Sequence, residues 1–234
     1  MSEAESAGDR RSVVFVVAHP DDLAFGMGGT AWLLKDKYKL HVLCMTKGER
    51  GLKGKSHSDT AAIREKEEAA ACALLGAELT FLGQMDGEIY AHPEICQRVA
   101  GILKELDPVA VFSLWPINVP DHAATGQIAS KAMNLAGIYF TSELYYSEVS
   151  LGGQGNQFDP DIYVNTSDVM EEKFKLARCH VCQNVDDRAV KGMITRDRVR
   201  GLLARCEYAE AYKTPWPLMG TRWDRKSTCI LWDL

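Results

Sequence analysis

The feature that most constrains the fold is an alternation of short apolar runs with helix-like stretches in the first half of the chain. Val13–Ala18 is continuously apolar and largely β-branched, and reads as a strand buried on both faces. A helix over Gly28–Lys37 and a second strand over Leu40–Thr46 follow. Residues 47–59 form a polar, Gly-punctuated loop. The next helix spans Ala61–Leu75, with Asp59 or Thr60 as its cap and Gly76 as its stop. Strand Glu78–Leu82, helix Pro93–Leu106 and strand Pro108–Leu114 continue the pattern. Strands alternating with helices mean βαβ units, so the expected fold class is α/β with a mostly parallel sheet.

The second half is less regular. Ala123–Ala136 reads as a helix, Glu143–Val149 as a strand and Leu151–Gln157 as a Gly-rich loop. Val169–Gln183 and Thr195–Ala211 read as helices, and Thr228–Leu231 as a last strand. No internal repeat or long linker divides the chain. Residues 1–11 therefore read as a flexible tail and residues 12–234 as one domain.

Composition narrows the function classes. With 234 residues, 46% of them hydrophobic, the chain can bury a sizeable core. A net charge of −5 offers no basic surplus for a phosphate backbone, so no nucleic-acid partner is expected. No apolar run approaches the ~20 residues of a spanning helix, and the charged N-terminus lacks a signal-peptide core, so membrane insertion is not expected either. Seven scattered cysteines, an odd number, argue for a reducing compartment, and the cytoplasm is the expected location. Without an export signal, the sequon Asn165-Thr166-Ser167 is ascribed to chance.

The sharpest chemical signal is Ala18-His19-Pro20-Asp21-Asp22, directly after the first strand. Ligands of open α/β sheets sit beyond the carboxyl ends of the strands, and this motif falls at such an end. Pro20 at the second position of a turn brings His19 and Asp22 together, giving two ligands for a divalent metal. Asp21 then points elsewhere, towards whatever the metal binds. The competing account makes Asp21 or Asp22 a helix cap, but the helix start expected at Gly28 is six residues away. A third ligand should come from another strand end, and His122 after the fourth strand is the candidate. Two His and one carboxylate leave an open position, as catalytic sites do.

These residues resemble the signature of the PIG-L/LmbE-like zinc N-deacetylases. Ala18-His19-Pro20-Asp21-Asp22 with Gly26-Met27-Gly28-Gly29-Thr30 carries most of the likeness. Thr46-Lys47-Gly48-Glu49 with Gly51, Arg64 with Glu67, Leu75-Gly76 and Pro120-Asp121-His122 extend it. Lys173–Gln183 and Tyr208-Ala209-Glu210-Ala211-Tyr212 add weaker matches, for a likeness over about residues 12–213. The resemblance implies one zinc ion on His19, Asp22 and His122, Asp21 as general base, and Arg64 as a substrate contact. It implies a single-domain Rossmann-like three-layer fold, N-acetylglucosamine conjugates as substrates, and homo-oligomers in many members.

The chain departs from the pattern twice. Val119 stands where the family commonly has a His that steadies the oxyanion, and Leu23 and Ala24 stand where a Glu is usual. Losing one oxyanion donor typically costs about 10²–10³ in rate. His180 is a candidate substitute donor, set against the plainer account of a His on the face of a helix. Two function readings follow: a metal-dependent deacetylase, or a relative that keeps the metal and binds a sugar-like ligand without turnover.

Three further signals are set aside. Gly26-x-Gly28-x-x-Ala31 fits a loose dinucleotide fingerprint, but His19–Phe25 separate it from the strand end, and helix packing accounts for it as well. Cys179-x-x-Cys182 has no second pair to complete a zinc site. Tyr139, Phe140, Tyr145, Tyr146, Trp216 and Trp223 suit packing at least as well as sugar stacking.

Overall fold

The computed structural model describes residues 10–148, 158–215 and 229–234. Seven strands form one sheet: β1 (Ser12–Val17), β2 (Lys39–Cys44), β3 (Glu78–Phe81), β4 (Ala110–Leu114), β5 (Glu143–Ser147), β6 (Ile162–Asn165) and β7 (Ala209–Lys213). Their spatial order is β3-β2-β1-β4-β5-β7-β6. The first five pair in parallel, whereas β7 runs antiparallel to both β5 and β6. The helices are α1 (Asp22–Leu34), α2 (His57–Leu75), α3 (Pro93–Leu106), α4 (Pro120–Leu135), α5 (Met170–Arg178) and α6 (Arg188–Ala204). The α/β class and the mostly parallel sheet are as the sequence implies.

The central place of β1 explains its composition. It has β2 on one side and β4 on the other, and Val13 to Val17 are all 0% exposed. Each such side chain contributes about 1.5–3 kcal/mol by burial. Phe15 stacks on Phe112 of β4 at 5.0 Å, and Tyr212 of β7 meets Phe112 edge-on, so the core is continuous across the sheet. The chain runs outward from β1 to β2 and β3, then returns to place β4 on the other side of β1. That reversal opens a crevice at the carboxyl ends of β1 and β4, where ligands of such sheets bind.

Several boundaries differ from expectation. Helix α1 starts at Asp22 rather than Gly28, because Gly26, Gly28 and Gly29 lie inside it, and the last two serve close packing. A Cβ at Gly28 would lie 3.3 Å from Lys173 Cγ, and one at Gly29 would lie 2.6 Å from Thr166 Cγ2. These glycines are thus a packing face rather than a dinucleotide fingerprint. Helix α2 begins at His57 and is capped by Ser56, whose hydroxyl accepts from the Asp59 N–H, rather than by Asp59 or Thr60. Gly76 does stop it, at φ 63°.

The second half holds the larger corrections. The long helix expected over Thr195–Ala211 ends at Ala204, where Arg205 adopts a left-handed φ of 61°. Residues Ala209–Lys213 are strand β7, inserted between β5 and β6. The run Val169–Gln183 is helical only over Met170–Arg178, with a separate 3-10 turn at Val181–Gln183. Strand β6, only four residues long, carries no usable sequence signal. Ile230–Asp233 is a 3-10 turn rather than part of a strand, and the Leu151–Gln157 loop, Trp216, Trp223 and Thr228 lie outside the described residues. No helix among the described residues is long and apolar enough to cross a membrane.

Candidate metal centre

The expected turn after β1 is present. The Asp22 N–H donates to the His19 carbonyl at 3.3 Å, closing a turn with Pro20 at its second position. The buried Asp22 carboxylate folds back, and its Oδ2 accepts from the Ala18 and His19 N–H groups at 3.0 and 2.8 Å. Its Oδ1 faces His122 Nε2 at 3.2 Å. His122 lies in the first turn of α4 rather than ahead of it, since the helix opens at Pro120. This helix end is drawn in tightly: a Cβ at Gly126 would overlap the Leu114 carbonyl at the end of β4.

The ligand atoms of His19, Asp22 and His122 all lie within 4.8 Å of one another. His19 Nδ1 is 3.7 Å from Asp22 Oδ2, and the two imidazole rings are tilted with centroids 5.3 Å apart. Bonds of 2.0–2.1 Å in tetrahedral geometry place neighbouring ligand atoms about 3.3 Å apart. The 3.2 Å from His122 Nε2 to Asp22 Oδ1 is close to that spacing, and the 3.7 Å from His19 Nδ1 is to the other oxygen, Oδ2. The structure therefore brings together the three residues expected as ligands, two His and one Asp, a set whose chemistry suits zinc.

The other face of His19 is also held. His19 Nε2 lies 3.1 Å from Asp121 Oδ2 and 3.2 Å from Asp86 Oδ1. Asp121 is fixed in turn by the N–H groups of Gly87, at 2.7 Å, and Ile89, at 3.4 Å. The two carboxylates take the Nε2 edge of His19 and Nδ1 faces Asp22, the arrangement in which a carboxylate orients a ligating imidazole. His19, Asp86 and Asp121 also lie close enough to form a second cluster of ligand type. Sequence reasoning assigns Asp121 and Asp86 no role. The signals are there, in the residue next to His122 and in an Asp-Gly turn after β3. Asp121→Asn is expected to weaken divalent-metal affinity about 10–100-fold. Competition with a metal-binding dye measures this, and unchanged affinity would remove the orienting role.

Asp21 sits beside the donor set in an unusual backbone state, φ 116° and ψ −28°. It occupies the cap position of α1, yet its side chain caps nothing. Arg64 Nη2 reaches Asp21 Oδ2 at 3.0 Å and the Pro20 carbonyl at 2.6 Å, while Nη1 donates to the Gly48 carbonyl at 3.2 Å. Arg64 is only 4% exposed and braces Asp21 from beneath. Burial pushes the Asp21 carboxyl up to about 7, reinforced by the charge of Asp22 and opposed by Arg64. Burial also works against a charged His19, but Asp121, Asp86 and Asp22 outweigh it and push the imidazole up to about 10. This excess of carboxylates around two imidazoles is an environment suited to a cation.

The remaining residues singled out in the sequence fall outside this set. His180 lies beyond the end of α5 rather than on its face, 1% exposed, with Nε2 3.7 Å from Glu68 Oε2. Leu23 and Ala24 pack into the hydrophobic core. Val119, half exposed, occupies the cap position of α4. Cys182 uses its N–H and its thiol on Glu67, and Cys179 and Cys182 are both free thiols.

Comparison with known proteins bears directly on this arrangement. Residues 14–133, which contain every member of the donor set, match the family described as PIG-L, GlcNAc-PI de-N-acetylase. The chain belongs to the PIG-L family. One relative, a probable N-acetyl-alpha-D-glucosaminyl L-malate deacetylase of Bacillus cereus, is 27% identical over 74% of this chain and 84% of its own. The solved structure of the N,N'-diacetylchitobiose deacetylase of Pyrococcus horikoshii superposes with a TM-score of 0.76 at 26% identity, covering 88% of this chain and 84% of that one. A third relative has a different name: the 4-oxalmesaconate hydratase of Pseudomonas putida is 25% identical over 73% of each chain.

Proposed function

We propose that this PIG-L chain is a zinc-dependent amidohydrolase that removes the acetyl group from an N-acetylated amino-sugar-type substrate, a GlcNAc conjugate. The observation that carries the reading is the convergence of His19, Asp22 and His122 at the β1/β4 crevice with Asp21 beside them. Deacetylase relatives support the amide as the bond cleaved. Zinc, when bound, supplies a Lewis acid for the amide carbonyl and an activating charge for the attacking water.

The chain's own groups do the rest. Asp21 takes the proton of the attacking water as its oxygen joins the acetyl carbon. The same carboxyl returns a proton to the amine nitrogen as the carbon–nitrogen bond breaks, and acetate and the free amine leave. Arg64, read from the sequence as a substrate contact, acts first through Asp21, whose carboxylate it holds. Asp121 holds His19 in the ligating tautomer.

The test is metal content and amine release measured together, on protein purified without chelator, against a panel of N-acetyl amino sugars. About one zinc per chain with amine release supports the reading. Consumption of an unsaturated carboxylate without amine release would overturn it in favour of hydratase chemistry. Val119 favours a second reading, in which the chain binds such a ligand with little turnover. Its half-exposed side chain has no hydrogen to donate to an oxyanion. Val119→His is expected to raise kcat on the order of 10-fold or more, since one oxyanion donor is typically worth about 10²–10³. No gain in kcat would mean that position 119 does not face the reacting carbonyl.

A further inference from the structure

We infer that Glu68 is a positioning residue for Asp21, holding the general base through its backbone N–H. The inference rests on the reading of Asp21 as the base. Its motive is a conformation that needs an external hold. Asp21 has φ 116°, a region that L side chains rarely adopt. Three side-chain contacts oppose relaxation there. Two come from Arg64, on the Pro20 carbonyl and the Asp21 carboxylate. The third is the Asp21 N–H, which donates to Glu68 Oε2 at 3.0 Å.

Glu68 is placed for this task by α2. It lies one turn after Arg64, so both reach the same side of the helix. Glu68 is 1% exposed, and a carboxyl that deeply buried needs a donor. Its other close polar neighbours are few. Cys72 Sγ lies 3.9 Å from Oε1, and His180 Nε2 lies 3.7 Å from Oε2 with no hydrogen-bond partner. Burial, with help from Arg64, pulls His180 down to about 4, so the imidazole is neutral at physiological pH. It lies near the same oxygen that accepts from Asp21 N, at 3.7 Å and so beyond hydrogen-bond reach. Burial pushes Glu68 up to about 8, so a neutral carboxyl is accessible, and its carbonyl oxygen still accepts from Asp21.

The experiment compares Glu68→Gln with Glu68→Leu. The carboxamide keeps the shape and an acceptor oxygen, whereas Leu keeps bulk but accepts nothing. With an N-acetyl amino sugar that the wild type turns over, Glu68→Leu is expected to lower kcat on the order of 10–100-fold, as misplacing a catalytic group by about 1 Å does. KM should stay within about twofold and zinc content should not change. Glu68→Gln should recover most of the lost kcat. A purely structural role would instead lower zinc content or soluble yield without rescue by Gln.

A second readout needs no turnover. Amide hydrogen exchange at Asp21, followed by NMR, should be slow in the wild type and in Glu68→Gln, and faster by about 100-fold or more in Glu68→Leu. Unchanged protection in Glu68→Leu overturns the inference. If the wild type releases no amine from any substrate, the deacetylase reading fails, and the exchange result still decides whether Glu68 holds Asp21.

Discussion

Asp21→Asn is expected to lower kcat by about 10²–10⁴ while zinc content stays near that of the wild type. The substitution suits the site because it separates chemistry from geometry. Asn tolerates positive φ better than other non-Gly residues, and φ at position 21 is 116°. Its side-chain oxygen can still accept from Arg64 Nη2, now 3.0 Å from the carboxylate. The three residues proposed as ligands are untouched, and Asp22 keeps its hydrogen bonds from the Ala18 and His19 N–H groups. What is lost is the ability to take a proton from water and return one to the departing amine. Turnover within about twofold of the wild type would remove Asp21 from the mechanism. Loss of zinc along with turnover would show that the substitution disturbed the donor set instead.

The parts of this site that are legible in the sequence are those fixed by short-range geometry. His19, Pro20 and Asp22 form one turn at the end of a strand that its continuous apolar run announces. His122 is legible because a second strand, β4, ends shortly before it, and β1 and β4 flank the switch point of the sheet. The residues that act through others are not legible. Asp86 and Asp121 reach His19 from separate segments, and Glu68 reaches a backbone N–H from 47 residues away. No periodicity marks such a pairing. The same limit explains the misread end of the chain. Ala209–Lys213 contains helix formers and a Glu, and is a strand only because β5 and β6 flank it. Tertiary context overrides propensity there. The early start of α1 is hidden by its glycines, which resemble a loop until the side chains packed on them are seen.

Lys173→Met is expected to destabilise the fold by about 3–5 kcal/mol, the cost of leaving buried carboxylates without their cation. Lys173 is 0% exposed, and its Nζ lies 2.5 Å from Asp197 Oδ2 and 2.7 Å from Glu210 Oε1, both fully buried side chains. Arg196 also pairs with Asp197, at 2.7 Å. The network reaches into the middle of α1. Glu210 accepts from the Gly29 and Thr30 N–H groups at 2.8 Å each. The carbonyls one turn earlier, of Phe25 and Gly26, accept from Arg196 and Ser147. Helix α1 is thereby tied to β5, β7 and α6, and its first residue is Asp22 of the candidate donor set. Burial works against the Glu210 carboxylate, but Lys173 outweighs it and holds the group below its ordinary value. The stabilisation is therefore present at neutral pH and is lost as pH falls below the ordinary glutamate range. Urea titrations of the wild type and Lys173→Met at neutral pH measure the difference, which should shrink on acidification. The double variant Lys173→Met/Glu210→Gln should be more stable than the sum of the single losses, because one unpaired charge is gone. Strict additivity would mean that Glu210 is held without Lys173, by the α1 backbone and the Tyr212 hydroxyl, and that the ion pair does not secure the helix that begins at the candidate metal site.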